Sequence, residues 1–186
     1  MTTARPEKDH IDKFLEYGLN LETRTLCLFG IVDGDMADKA MKGLHLLSAD
    51  SKDKPATIYL NSEGSSWMDG SAIYSFIKQM PFHITIKAYG SCMSMATVIL
   101  QAGDVRLLDQ LCTFMVHHGK DGRESEQHTI DYERWAEASK ASRKQMCDIY
   151  AERSVHKSAY WQRKCMHDYI MTPDEAVESG LADGLI

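Results

Sequence analysis

The stretch ATIYLNSEGSSWMDGSAIYSFIKQMPFHITIKAYGSCMSMATVILQA, residues 56–102, decides how the chain folds. It opens with ATIYL at 56–60, a short apolar run that reads as a buried strand, and passes into a polar loop at 61–66. A helix follows, with Ile73, Phe76, Ile77 and Met80 on its inner face, and Pro81 stops it before a second strand at 83–88. A glycine-led turn at 90–93 then precedes a buried helix of small and apolar residues at 94–102. Strands alternating with helices across short connections predict an α/β layered domain, its helices packed on a central sheet by right-handed crossovers.

The pattern extends in both directions. RTLCLFG at 24–30 is a strand running into a turn, and Ala37, Ala40, Met41, Leu44 and Leu47 recur at helical spacing after it. Asp33 or Asp35 caps that helix, and Pro55 closes the connection. Two short strands are expected at 105–108 and 112–116. From 125 to 153 the sequence is helical throughout, with Ile130, Trp135, Ala138, Met146 and Ile149 on one face. At about 1.5 Å per residue this helix is roughly 40 Å long, more than a domain of this size needs for its own core, so part of it should project toward a neighbouring subunit. Thr172, Pro173 and Glu175 form a capping-box start, and Gly180 ends the short helix that follows.

With 186 residues and 44% hydrophobic content, the chain has material for one sizeable core, so one domain is expected over 1–186, with an N-terminal arm at 1–23. The net charge is −6 and the basic residues are scattered among acids, which argues against nucleic acid as a partner. No apolar run approaches the roughly 20 residues of a membrane span, and residues 1–12 are polar, so a soluble, cytoplasmic protein is expected. Cys27, Cys92, Cys112, Cys147 and Cys165 are odd in number and widely spaced, which suits reduced thiols better than a disulfide framework. Cys165 and His167 make a Cys-x-His pair with no second pair beside it, so no metal site is expected.

A serine becomes a nucleophile when a base takes its proton, a third group orients the base, and donors await the oxyanion. Ser94 stands directly after a strand and at the start of a helix, where the Met95 N–H would face charge developing nearby. A second donor is expected from the 61–66 loop, because parallel strands deliver their following loops to the same edge. His117 ends the strand CTFMV, and its neighbour His118 points to the opposite face if the strand continues. Periodicity does not choose between the two histidines.

Five blocks together carry a resemblance: IYLNSEGSS at 58–66, AIYSFIKQM at 72–80, GSCMSMA at 90–96, TFMVHH at 113–118 and HDYIMTPDEAVESGLAD at 167–183. In content and order they resemble the Clp protease proteolytic subunit (ClpP), a serine peptidase family, from about residue 25 to the C-terminus. The resemblance implies Ser94 as nucleophile, His117 as base and Asp168 as orienting acid, and it is the block match that selects His117 over His118. It also implies a crotonase-like α/β fold with the 125–153 helix as handle, an oxyanion hole from the Ser65 and Met95 N–H groups, and substrate contact at Gly64. Subunits would form a heptameric ring, stacked in pairs as a tetradecamer around enclosed sites, fed unfolded polypeptide by an ATP-dependent unfoldase. No metal or organic cofactor is implied.

Several residues depart from the family pattern. Glu63, Gly64 and Ser65 stand where a proline and paired glycines are usual, and Tyr169 replaces a ring-pairing arginine. The segment 119–127 is unusually charged, and Thr57, Lys87 and Asp109 replace apolar unfoldase-docking residues, although Tyr59 and Tyr89 fit. Such changes suit a divergent member, for instance a ClpP-like peptidase of phage capsid maturation. Two rivals remain: a ClpP-like subunit that assembles without cutting, and a crotonase-type acyl-CoA enzyme, which would leave the Ser94 and His117 pair without a role.

Overall fold

In a computed structural model of the chain, residues 14, 16–119 and 129–186 are described. Residues 125–128 of the expected long helix and residues 120–127 of the charged segment 119–127 lie outside them. Three parallel strands form the middle of an eight-stranded sheet: β2 (Thr25–Val32), β3 (Ala56–Ser65) and β4 (Ile84–Met93). Helices packed on a central, mostly parallel sheet give the α/β class expected from sequence.

Each central strand is followed by a helix, because a parallel neighbour is reached only by a crossover. After β2 comes α1 (Gly34–Asp50), capped by Asp33, whose carboxylate accepts from the Met36 N–H at 3.0 Å. Its buried stripe is Met36, Ala37, Ala40, Gly43, Leu44 and Leu47, while Met41, expected on that stripe, is exposed. After β3 comes α2 (Trp67–Lys78), capped by Ser66, with Gly70, Ile73 and Ile77 buried. After β4 comes α3 (Met95–Gln101), in which every residue is buried. A methyl group at Gly70 would sit 2.2 Å from Met95 Cγ, so the missing side chain is what lets α2 close on α3.

Two expected connections are strand instead. The 61–66 loop is absent, since β3 continues to Ser65, and the 90–93 turn is the end of β4. Both strands keep hydrogen-bonding partners after a register shift: Ile31↔Gly64 and Val32↔Ser65 on one side, Ser62↔Cys92 on the other. Polar residues remain in extended backbone because their side chains bond locally, Ser62 Oγ accepting from Gly64 N–H and Asn61 Oδ1 from Ser91 N–H, both at 3.0 Å.

Beyond this point the sheet forks. The first half of β4, Thr85–Ala88, pairs with β5 (Val105–Leu108), which pairs in turn with β8 (Gly184–Leu185). The last residues of β4, Ser91 to Met93, pair with β6 (Thr113–Val116), and β6 takes β7 (Tyr169–Met171) as an antiparallel partner. At the opposite edge β1 (Leu19–Asn20) lies antiparallel to β2, so the end of the expected N-terminal arm belongs to the sheet.

The long helix α4 (Thr129–Arg153) has 25 residues, about 38 Å at 1.5 Å each. Its expected single face is divided along its length: Ile130 and Trp135 are exposed, whereas Met146, Cys147 and Tyr150 are buried. Only the C-terminal third joins the core, where Tyr150 meets Trp161 of α5 (Ser158–Lys164) edge to face at 5.8 Å. The Tyr150 hydroxyl also shares a 2.6 Å hydrogen bond with the Thr97 hydroxyl of α3. The last helix, α6 (Pro173–Glu178), carries the expected capping box between Thr172 and Glu175. None of the described helices is long and apolar enough to cross a membrane.

Candidate active site

Ser94 is the hinge between β4 and α3, at φ 52 and ψ −121, a conformation that side chains disfavour. A serine at a helix start ordinarily turns its hydroxyl back onto the first amides. Ser94 makes no such bond. Its N–H instead donates to the Met115 carbonyl of β6 at 2.8 Å, and its Oγ lies 2.9 Å from His117 Nε2. His117 follows β6 directly, and Asp168 immediately precedes β7. Because Val116 is in register with Tyr169, the antiparallel ladder sets the imidazole beside the carboxylate, with His117 Nδ1 2.7 Å from Asp168 Oδ1.

The network assigns the tautomer: Nδ1–H donates to the carboxylate, which accepts only, and Nε2 is left to accept from the Ser94 hydroxyl. The side chain of His117 is 24% exposed and that of Asp168 68%, so the line runs from a sheltered hydroxyl to a solvated acid. His118, the other histidine of the pair, borders the same cleft but has its Nε2 3.5 Å from Cys147 Sγ.

The backbone of β3 closes the other side. Gly64, at φ 92, runs so near Ser94 that an added Cβ would be 2.7 Å from Met95 N, Met93 O and Ser94 Cβ alike. This brings the Gly64–Ser65 backbone against the Met95 N–H, one of the first helical amides, which have no intrahelical acceptor. Ser65 itself sits at φ 131, a region that favours glycine and costs a side chain about 1–3 kcal/mol. A cleft of about 730 Å³ opens over these groups, lined by Ser65, Ser94, His117 and Asp168, with Trp135 and Arg143 of the long helix forming its far wall. Neither Trp135 nor Arg143 was singled out by sequence motif as a cleft residue. Only the packing of α4 against α3 brings them there.

A second cluster stands behind His117. The side-chain donor atoms of His118, Cys147 and Cys165 all lie within 4.8 Å of one another, and both cysteines are fully buried. The exposed His167 is not part of it, so the Cys-x-His pairing visible in sequence joins the wrong residues. The hydrogen bond with Cys147, together with burial, pushes the Cys165 thiol well up, and the same bond holds the Cys147 thiol below its usual value. Burial, with Arg143 and His117 nearby, lowers His118. All five cysteines are free thiols.

The family model for Clp protease matches residues 8–186. The ATP-dependent Clp protease proteolytic subunit of Deinococcus radiodurans is 28% identical over 172 residues, 91% of this chain and 83% of that protein. The protein of the same description from Pleurastrum terricola is 28% identical over 182 residues, 97% of this chain and 92% of its own length. Among solved structures, an asparagine-to-aspartate mutant of ClpP1 from Listeria monocytogenes superposes with a TM-score of 0.81 at 23% identity, covering 89% of this chain and 92% of that one. Sequence blocks, sheet topology and family match agree: this chain is a member of the Clp protease family of serine-type peptidases.

Proposed function

We propose that this chain is a catalytically competent serine endopeptidase subunit in which Ser94, His117 and Asp168 act as a triad. The single observation that carries the reading is the hydrogen-bonded line from Ser94 Oγ through His117 to Asp168, at 2.9 and 2.7 Å. In this mechanism Ser94 Oγ attacks the scissile carbonyl while His117 Nε2 takes its proton. Asp168 stabilises the imidazolium through Nδ1–H, and the imidazolium then gives its proton to the leaving amine. The Met95 and Ser65 N–H groups hold the oxyanion, and Gly64 supplies backbone against the substrate. Water releases the acyl group by the same steps in reverse order of proton transfer.

The relatives' description as proteolytic subunits of an ATP-dependent protease supports a wider reading. The whole of 1–186 is taken as one peptidase domain in a heptameric ring, two rings stacking as a tetradecamer in the cytoplasm, with unfolded polypeptide delivered by an ATP-dependent unfoldase. Exposed Ile130 and Tyr132 on α4 supply apolar surface for a neighbouring subunit. Tyr59 and Tyr89, packed edge to face at 5.9 Å, supply an aromatic docking surface.

A fluorophosphonate should label the wild type at Ser94 and leave Ser94→Ala unlabelled, and the assembled wild type should hydrolyse short peptides. Assembly without labelling or hydrolysis would instead favour the non-cutting subunit, for which the strained Ser65 is the one supporting observation.

A further inference from the structure

His118, Cys147 and Cys165 come from the end of β6, from α4 and from the turn after α5, and none of them enters the proposed chemistry of Ser94. Three donors of this kind, two sulfurs and one imidazole nitrogen within 4.8 Å, form a soft ligand set. We propose that they bind one thiophilic d10 cation, Zn2+ as its divalent representative, directly behind the catalytic base.

The distances fit. A tetrahedral centre with metal–sulfur bonds of about 2.3 Å and metal–nitrogen bonds of about 2.0 Å places its ligand atoms roughly 3.3–3.8 Å apart. His118 Nε2 and Cys147 Sγ are already 3.5 Å apart, so the widest separation in the triangle, at most 4.8 Å, has to close by about an ångström. The charge fits as well. Binding turns both thiols into thiolates, releasing two protons to solvent, and the two negative charges cancel the dication, so no net charge is buried between α4 and the sheet. Three protein ligands leave one tetrahedral corner for water. Entry is from the cleft, which His118 lines while both cysteines are enclosed.

Without the ion, Cys147 and Cys165 face each other as a pair of buried thiols, and this pair is the competing account of the cluster. The two differ in consequence. The His118 N–H donates to the Cys165 carbonyl at 2.7 Å, His117 is the residue before His118, and Asp168 lies three residues beyond Cys165. An ion at this point therefore ties together the two chain segments that deliver base and acid. The pair of thiols alone leaves that tie to the β6–β7 ladder, the His117–Asp168 bond and one backbone hydrogen bond.

The test uses the reduced, assembled full-length protein with Co2+ and Zn2+ alone as probes. Co2+ should bind one per chain, with thiolate-to-cobalt charge-transfer bands and the intense visible bands of a tetrahedral site. Cys147→Ser, Cys165→Ser and His118→Ala should each weaken binding by more than the roughly 10–100-fold that loss of an outer-shell partner costs. Cys27→Ser should leave the spectrum unchanged. In case a ligand variant does not fold, zinc X-ray absorption on the wild type gives an independent reading: a shell of two sulfurs at about 2.3 Å. Absence of charge-transfer bands in the wild type, their persistence in folded Cys147→Ser, or a zinc shell of nitrogen and oxygen alone would overturn the proposal. These readouts require no peptidase activity, so they stand or fall separately from the triad.

Discussion

At Ser94 the backbone is bent so that the side chain is available, and the strain is spent on position: φ 52 turns the hydroxyl off the helix amides and onto His117. Replacing it with alanine should leave the fold and abolish turnover, a loss of roughly 10⁴–10⁶-fold in kcat read by peptide hydrolysis. Asp168→Asn keeps the shape but favours the wrong imidazole tautomer, which in a buried triad costs about 10⁴-fold. With a carboxylate 68% exposed, a smaller loss of roughly 10²–10³-fold is expected, since water can substitute in part. Ser65 offers the opposite kind of test. At φ 131 it tolerates glycine better than serine, so Ser65→Gly should raise stability by up to about 1 kcal/mol in denaturant titration while keeping the backbone N–H. Gly64→Ala should be severe, because its methyl has backbone at 2.7 Å on two sides. The order of serine, histidine and acid in the sequence named three residues that meet in the structure. The resemblance also set the Gly64 and Ser65 backbone beside Ser94, whereas the positive φ at both positions and the closeness of the approach are properties of the folded backbone that the residue types alone do not display.

Among the elements, strand and helix order was legible from apolar spacing, and the failures share a cause. Residues 61–65 look like a loop since they are polar and contain glycine, yet both neighbouring strands offer them partners, and pairing overrides local composition. The division of α4 was hidden because one apolar stripe serves two surfaces, the core near Tyr150 and solvent or a neighbour near Ile130. The C-terminal segment is anchored by a cluster equally invisible in sequence. Arg106 of β5, 2% exposed, donates to Asp183 at 2.5 Å, contacts Gln101 of α3, and shares Asp183 with Arg153 at the end of α4. Burial raises the Asp183 carboxyl, and the Arg106 and Arg153 guanidiniums more than offset this, leaving its pKa below the usual value. A depressed carboxylate contributes stability above its unfolded pKa, and that contribution is lost as pH falls through the folded one. Asp183→Asn should therefore cost about 1–3 kcal/mol at pH 7, less than a fully buried pair would because Asp183 is a third exposed. The gap between variant and wild-type melting temperatures should shrink as pH drops below about 4.

For the molecule as a whole, the exposed N-terminal part of α4 is surface that the described core does not use. If the proposed ring forms through this surface, placing a charge there, as in Ile130→Glu, should leave the subunit folded and shift sedimentation from the ring toward smaller species. Peptide hydrolysis should fall with the large species, because Trp135 and Arg143 of the same helix form a wall of the cleft. The fork in the sheet bears on how this enzyme would fail. His117 and Asp168 ride on a narrow two-stranded flap, paired to the main sheet through the three residues Ser91 to Met93, while most of the buried apolar residues lie on β2, β3, β4 and the helices packed on them. Warming should peel this flap before the body melts, so inactivation ought to set in at a temperature where circular dichroism still reports an intact protein, and to reverse on cooling.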